Sequence, residues 1–130
     1  MPELHLLAVG VTTVVAVLFS GAYYSVLAAQ LAAVSPVAAA GEPPTPLGIA
    51  AEVVRSTVLV TVIAVIVVQT GTDSWTGGLW LGLGLFVGFP LVLWAGAVLH
   101  EKQDLRLAAI HGGDWLLKVP IATVILSVWQ

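Results

Sequence analysis

Four long apolar runs dominate the chain, and short polar stretches separate them. The runs cover residues 4–34, 47–70, 75–99 and 105–129. Each is long enough for a helix to cross a hydrocarbon core, which takes roughly 20 residues. The runs are continuous rather than alternating, and four segments are too few for a membrane β-barrel. The pattern therefore predicts an all-α integral membrane protein that lies in a lipid bilayer.

The segments between the runs predict how the helices are connected. Residues 35–46 read SPVAAAGEPPTP, and their prolines rule out a continuous helix. Residues 71–74 and 100–104 form much shorter connections, which favour antiparallel neighbours. We expect one domain over residues 1–130, an up-down antiparallel four-helix bundle. The first run is too long for a signal-peptide core and no Lys or Arg precedes it, so we expect a retained helix.

The third run contains a proline and several glycines. Pro90 lacks an amide donor and should kink the helix. Gly78/Gly82 and Gly84/Gly88 are two small-xxx-small pairs, which let helix backbones approach closely. The sequence leaves open whether these pairs serve a contact inside the chain or between copies. A contact between copies would make the protein a homo-oligomer.

Composition excludes several classes of function. Only 8% of the residues are charged, whereas soluble domains have about 25%. The formal net charge is -3 with no basic run, so we expect no nucleic-acid partner. The chain has no cysteine, which excludes disulfides and thiolate sites. No phosphate-binding loop, nucleophile elbow or redox motif is present, and no cofactor is predicted.

The few cations predict an orientation. Arg55, Lys102 and Arg106 all fall on the side of the first and third connections. The positive-inside rule therefore predicts that both termini lie on the non-cytoplasmic side.

Most polar side chains of the spans fall at one depth when residues are counted at about 1.5 Å each. Because the helices alternate in direction, the late part of one run and the early part of the next share the cytoplasmic-side third of the membrane. This polar layer comprises Ser20, Tyr23, Tyr24, Ser25, Glu52, Arg55, Ser56, Trp94, His100, His111 and Asp114, with Lys118 near mid-depth.

The charges of the layer have two interpretations. Glu52 and Arg55 are three residues apart, and Asp114 and Lys118 are four apart, so each pair could neutralise itself and fix helix packing. Alternatively, intramembrane charges face a solvated cavity and handle an ion, a proton or a small solute. His111 shares a helical face with Asp114 and Lys118, and histidine is the side chain that suits proton handling. The candidate binding residues are Tyr23, Tyr24, Glu52, Arg55, His111, Asp114 and Lys118.

Two finer expectations concern the acidic residues. An ion pair satisfies only part of the acceptor capacity of a carboxylate. We therefore expect Asp114 also to contact another helix, with Tyr24, Arg55 or Glu52 nearest. A metal site built from His111, Asp114, Glu52 and His100 was considered, but the spacing matches no specific ligand motif, so no metal is predicted.

Two segments resemble the DUF1761 family of small membrane proteins. The end of the first run, SGAYYS at residues 20–25, resembles the family's G-x-x-[WY]-Y-S motif. Residues 99–119 resemble its last segment, in which a charged turn leads into a helix with a glycine-aromatic element, here Gly113-Asp114-Trp115. The first connection departs from many relatives because it is rich in Pro and Ala and has no Lys. The resemblance implies a four-span bundle but no reaction.

Three functions remain open from the sequence. The first is a transport or channel-like protein, expected to be an oligomer because four helices alone hardly enclose a pore. The second is a structural or accessory membrane subunit whose charged layer only fixes packing. The third is a small membrane enzyme that uses His111 and Asp114 as acid and base. We expect a non-enzymatic role.

Overall fold

The computed structural model describes residues 3–129, which form helices and, within that range, no β-strand. Four segments are long and apolar enough to cross a membrane, and one of them consists of two consecutive helices. This confirms the all-α, four-span fold. The helices in chain order are α1 (Leu6–Val26), α2 (Ala28–Val34), α3 (Pro36–Ala39), α4 (Pro46–Gln69), α5 (Trp75–Gly88), α6 (Pro90–His100) and α7 (Leu105–Val128).

The first predicted helix is shorter than the apolar run. It begins at Leu6, where the His5 ring accepts a hydrogen bond from the Ala8 amide at 3.2 Å. It is interrupted at Leu27 (φ −97°, ψ 15°), so α1 and α2 are separate helices. Neither Pro nor Gly lies at Leu27, so the break could not be predicted from these residue types.

Helix starts follow local sequence closely. Pro is the first residue of α3, α4 and α6, where its missing amide hydrogen costs no intrahelical bond. The side chains of Thr45 and Ser74 cap α4 and α5. Asp104 caps α7 and also pairs with Arg106 in the same turn. The hydrogen bonds from Arg106 lower the pKa of the Asp104 carboxyl.

Pro90 interrupts the third span, as predicted. Phe89 has φ −122° and ψ −76° and separates α5 from α6, although together they form one span from Trp75 to His100. The predicted kink is therefore confirmed.

Helix α7 is the centre of the bundle. It packs against α1, α4, α5 and α6, and its most extensive contact is with α5. The first half of α1, the second half of α4 and the second half of α7 share a tightly packed core of small and branched side chains. At the other end, α4 and α6 make no extensive contact with each other among the described residues, and a cavity lies between α1, α4, α6 and α7.

The two glycine pairs of the third span differ in their surroundings. A Cβ on Gly78 would lie 2.7 Å from Ser127 Oγ, and one on Gly82 would overlap Thr123 and Pro120. Within the described residues, a Cβ on Gly84 or Gly88 would meet no atom within 4 Å. The first pair therefore serves a contact inside the chain, and the second pair faces outward.

The outer surface of the bundle is apolar. Trp80 and Leu93, for example, are each 74% exposed. Large apolar side chains face outward on all four spans, which indicates that lipid surrounds the bundle.

Candidate functional site

The two segments that carry the family resemblance pack against each other. Three side chains near the end of α1 each bond to a group near the start of α7. Ser20 Oγ donates to Asp114 Oδ1 at 2.7 Å, Tyr23 Oη donates to the Ile110 carbonyl at 2.6 Å, and Tyr24 Oη lies 2.6 Å from His111 Nδ1. These bonds fix the rotation of both helices, so the polar faces of α1 and α7 meet.

Glycine is required for one of these contacts. A Cβ on Gly113 would overlap the hydroxyl oxygen of Tyr23. The small residue of the Gly113-Asp114-Trp115 element thus lets Tyr23 reach across to α7.

A buried ion pair lies next to these contacts. Lys118 Nζ is 2.9 Å from Asp114 Oδ2, and the side chains are only 7% and 3% exposed. Lys118 Nζ also lies 3.4 Å from Ser20 Oγ and 4.3 Å from the centroid of the Trp115 ring. Both oxygens of Asp114 are thereby engaged, and the ammonium group has three partners. This arrangement meets the condition for a stable buried pair, which is that additional hydrogen bonds accompany the charge interaction.

A second ion pair occupies the neighbouring helix and is exposed. Arg55 NH1 donates to Glu52 Oε2 at 2.8 Å, and the side chains are 70% and 38% exposed. Both predicted intrahelical pairs are therefore present, but one is buried and the other is accessible.

Aromatic rings form the remaining wall. The His111 ring stacks on Trp94 of α6, with centroids 5.1 Å apart and planes inclined by 11°. Tyr24 packs on the other flank of His111 and contacts Tyr23 edge-on. The histidine is thus held between two helices by stacking and by its bond to Tyr24.

These groups surround a cavity of about 570 Å³ between α1, α4, α6 and α7. Its volume is within the range of about 300–1,000 Å³ that small-molecule sites occupy. All the candidate binding residues except Tyr23 line it, namely Tyr24, Glu52, Arg55, His111, Asp114 and Lys118. The cavity extends from near the end of α1 to Lys118, which lies near the middle of α7.

The structure differs from the sequence-based expectation for Asp114. We expected Tyr24, Arg55 or Glu52 as its nearest partner on another helix, but its hydrogen-bond partner there is Ser20. Tyr24 bonds to His111 instead, and Glu52 bonds to Arg55. Depth counting placed Ser20 in the layer without identifying it as a site residue.

Two other expectations concern histidine. Across residues 3–129, no group of three or more His, Asp or Glu side chains is placed to hold a metal ion, so the considered metal site is not formed there. His100 lies apart from His111, in a separate groove on the outer side of α6.

Comparison with known proteins gives one match. The family model DUF1761, described as a protein of unknown function, matches residues 7–127. Neither the curated proteins nor the solved structures yield a match. The matched region includes both motif segments, all four spans and every residue that lines the cavity. The chain is therefore a member of the DUF1761 family of membrane proteins.

Proposed function

We propose that this protein binds a small polar solute inside the membrane, in the cavity between α4 and α6, and that it acts as a transport-type protein. The observation that supports this proposal is the extent of the cavity, which reaches the buried Asp114–Lys118 pair near mid-depth. Charges at that depth are costly in lipid and usually mark a solute or ion pathway. A layer that only fixed helix packing would not need four charged side chains, Glu52, Arg55, Asp114 and Lys118, to line a cavity.

The opposite half of the bundle supports a one-sided site. There the core of α1, α4 and α7 and the glycine contact between α5 and α7 are closely packed. A bundle that has a cavity in one half and is closely packed in the other half resembles a carrier in one of its conformations.

Orientation and assembly are further parts of the proposal. From the cations at the cavity end we infer that this end lies in the cytoplasm and that both termini lie outside. A cysteine replacing Gln103 should then be protected from an impermeant thiol reagent in intact cells, while one replacing Asp73 should react; the reverse pattern contradicts this orientation.

Assembly as a homo-oligomer would use the outward-facing Gly84 and Gly88, and light scattering in detergent should give a mass above that of one chain.

Single-cysteine labelling tests the cavity directly, because the chain has no native cysteine. Gly21 lines the cavity, whereas Gly10 lies on the exposed surface of the same helix. A Cβ at either position would meet no described atom within 4 Å, so both substitutions are sterically tolerated. Gly10 lies near the start of α1 and Gly21 near its end, each about 6–8 Å from that end of the helix. The two positions are therefore at similar distances from opposite surfaces of the membrane.

We expect Gly21→Cys to react with a charged, water-soluble thiol reagent and Gly10→Cys to react much more slowly. Equal rates would show that depth alone controls access and would contradict a hydrated cavity. In sealed proteoliposomes of one orientation, reaction of Gly21→Cys from both sides supports alternating access. Reaction from only one side supports a fixed binding site and contradicts transport.

A second candidate function rests on a different observation. Asp114 and Lys118 are fully engaged with each other, Ser20 and Trp115, which suits a structural element of an accessory subunit. In that case Gly21→Cys would stay unreactive, and no solute would alter its labelling. An enzyme with His111 and Asp114 as acid and base is less well supported. Tyr24 already bonds to His111, and Ser20 and Lys118 already bond to Asp114.

A further inference from the structure

We propose that the ligand of this cavity is a zwitterion that carries one ammonium group and one anionic oxygen group within a few bonds of each other. This inference rests on the proposed binding function and specifies the ligand class. It follows from the balance of charges around the cavity and from which of those charges are free to respond.

The charges that line the cavity balance. Two carboxylates, Glu52 and Asp114, face two cations, Arg55 and Lys118, at sites within the bilayer thickness. Entry of a simple cation or anion would add an uncompensated charge to a low-dielectric space. A zwitterion adds none, and each of its ends can form an attractive contact.

The Asp114–Lys118 pair is almost fully buried, which limits its access to a ligand. Each Asp114 oxygen already accepts a hydrogen bond, and Lys118 is held by Asp114, Ser20 and the Trp115 ring. These groups form the floor of the cavity and set its polarity.

The exposed Glu52–Arg55 pair can form further hydrogen bonds with a ligand. A guanidinium group has five N–H donors, and among the described residues Arg55 gives one of them to Glu52. Its side chain is 70% exposed. Arginine binds carboxylate and phosphate oxygens through two parallel hydrogen bonds. Arg55 is therefore the group that receives the anionic end.

The carboxylate of Glu52, which is 38% exposed, receives the ammonium end; among the described residues its second oxygen, Oε1, accepts only a long bond of 3.5 Å from Ser56 Oγ. The carboxylate lies 2.8 Å from Arg55, so a short zwitterion can span both residues. The aromatic side chains of Trp94 and Tyr24 also line the cavity, and aromatic rings attract cations. A lone anion on Arg55 would instead leave Glu52 without its partner. The bound zwitterion replaces one internal ion pair by two ion pairs to the ligand, and the site stays neutral.

This chemistry has two sources, a phosphoethanolamine lipid headgroup and a free solute of the amino-acid or phosphodiester type. Binding should be measured in non-ionic maltoside micelles, which contain no competing zwitterion. The first probe is glycerophosphoethanolamine, which carries both charges. Ethanolamine carries only the positive charge, and dimethyl phosphate carries only the negative charge. Protection of Gly21→Cys from labelling and the fluorescence of the native tryptophans report occupancy.

We expect glycerophosphoethanolamine to bind about tenfold or more tightly than either single ion, because each charged contact is worth about that much. Equal binding of ethanolamine or dimethyl phosphate would overturn the zwitterion while leaving the proposed binding function intact. Protection by none of the probes in a reactive Gly21→Cys protein would also overturn it. An unreactive Gly21→Cys would instead refute the cavity itself.

Charge-removing variants sharpen the test. Arg55→Gln should weaken glycerophosphoethanolamine binding about tenfold and shift the preference toward ethanolamine, and Glu52→Gln should shift it toward dimethyl phosphate. Arg106→Gln is the matched control, because the Arg106–Asp104 pair has almost the same exposure, 73% and 38%, but lies outside the cavity lining. An equal loss in Arg106→Gln would show that binding follows general surface charge and would contradict the assignment.

The lipid source is tested by native mass spectrometry. Phosphatidylethanolamine added to the micelles should remain on the wild-type protein and be lost from Arg55→Gln, whereas phosphatidylglycerol should not be retained selectively. Retention identifies a lipid headgroup as the ligand. Binding of glycerophosphoethanolamine without lipid retention identifies a free solute. Absence of both contradicts the proposal.

Discussion

The two halves of α7 solve the problem of polar groups in a membrane in different ways. In the second half, Thr123 Oγ1 donates to the Pro120 carbonyl and Ser127 Oγ donates to the Thr123 carbonyl, so these hydroxyls are satisfied within the helix. In the first half, the polar groups of α7 bond to side chains of α1. The second half can therefore pack tightly against α5, while the first half lies beside a cavity.

The size of the neighbouring residues completes the difference. Gly78 and Gly82 bring the backbone of α5 against α7 and leave no room between the helices. At the other end, the His111 ring lies between Trp94 of α6 and the backbone of α7, because Trp94 stacks on it. The ring therefore keeps α6 farther from α7. We infer that bonds between side chains hold the first half of α7 in place and that close backbone contact holds the second half, and four substitutions test the contacts of the bundle.

The largest effect is expected at the floor of the cavity. Asp114→Ala leaves the ammonium of Lys118 buried without its partner, which costs about 3–5 kcal/mol in comparable buried pairs. Unfolding titrations in mixed micelles should show this loss. The double variant Asp114→Ala with Lys118→Met removes both charges and should recover much of it. A harmless Asp114→Ala would show that water already solvates Lys118, so that the pair is not buried as the structure has it.

The glycine contact should be the next most sensitive. Gly82→Ala places a methyl group against Thr123 and Pro120, and such overpacking typically costs about 1–3 kcal/mol. Gly84→Ala is the control, since its Cβ points away from the described residues and alanine favours helix by about 1 kcal/mol. Equal stabilities of the two variants, measured by thermal unfolding in detergent, would contradict the close contact of α5 with α7.

The contact between the motif segments predicts a specific coupling. Gly113→Ala should destabilise the fold by about 1–2 kcal/mol, because the new methyl group collides with the Tyr23 hydroxyl. In a Tyr23→Phe background the contact with the hydroxyl is gone and only a 3.3 Å approach to the ring carbon Cζ remains, so the same change should cost less. A double-mutant cycle measures the difference. Strict additivity would mean that Tyr23 does not reach Gly113.

The smallest effect is expected in the closed core. Thr12 is 1% exposed, and within the described part of the chain its hydroxyl oxygen has no hydrogen-bond partner. Thr12→Val keeps the shape and removes the unsatisfied group, so it should be neutral or stabilise by about 1 kcal/mol. A clear loss of stability would reveal a partner for this hydroxyl, such as a buried water.

Sequence alone could place the site in depth but could not assign its contacts. Counting residues along alternating helices brought Tyr24, Glu52, His111 and Asp114 to one level, since helix rise is constant. The rotation of each helix about its own axis is set by packing, and counting residues along the chain does not predict this rotation. That is why Ser20 rather than Tyr24, Arg55 or Glu52 is the partner of Asp114 on another helix.

The same limitation applies to the glycines and to the first helix. Gly78/Gly82 and Gly84/Gly88 have the same spacing, yet only the first pair meets α7, because the two pairs lie on different faces of α5. Pro90 gave a correct signal for a break because its missing donor is a property of the residue itself. The break at Leu27 has no such residue.

The central claim is that water enters the cavity beside the first half of α7, and hydroxyl-radical footprinting tests it on the unmodified chain in lipid nanodiscs. We expect oxidation of Tyr24 and Trp94, which line the cavity, and protection of Phe86, which is buried at 9% exposure. Trp80 is 74% exposed but faces lipid, so it should also be protected. If Tyr24 and Trp94 are oxidised no faster than Trp80, lipid rather than water fills the cavity, and the proposed solute site is wrong.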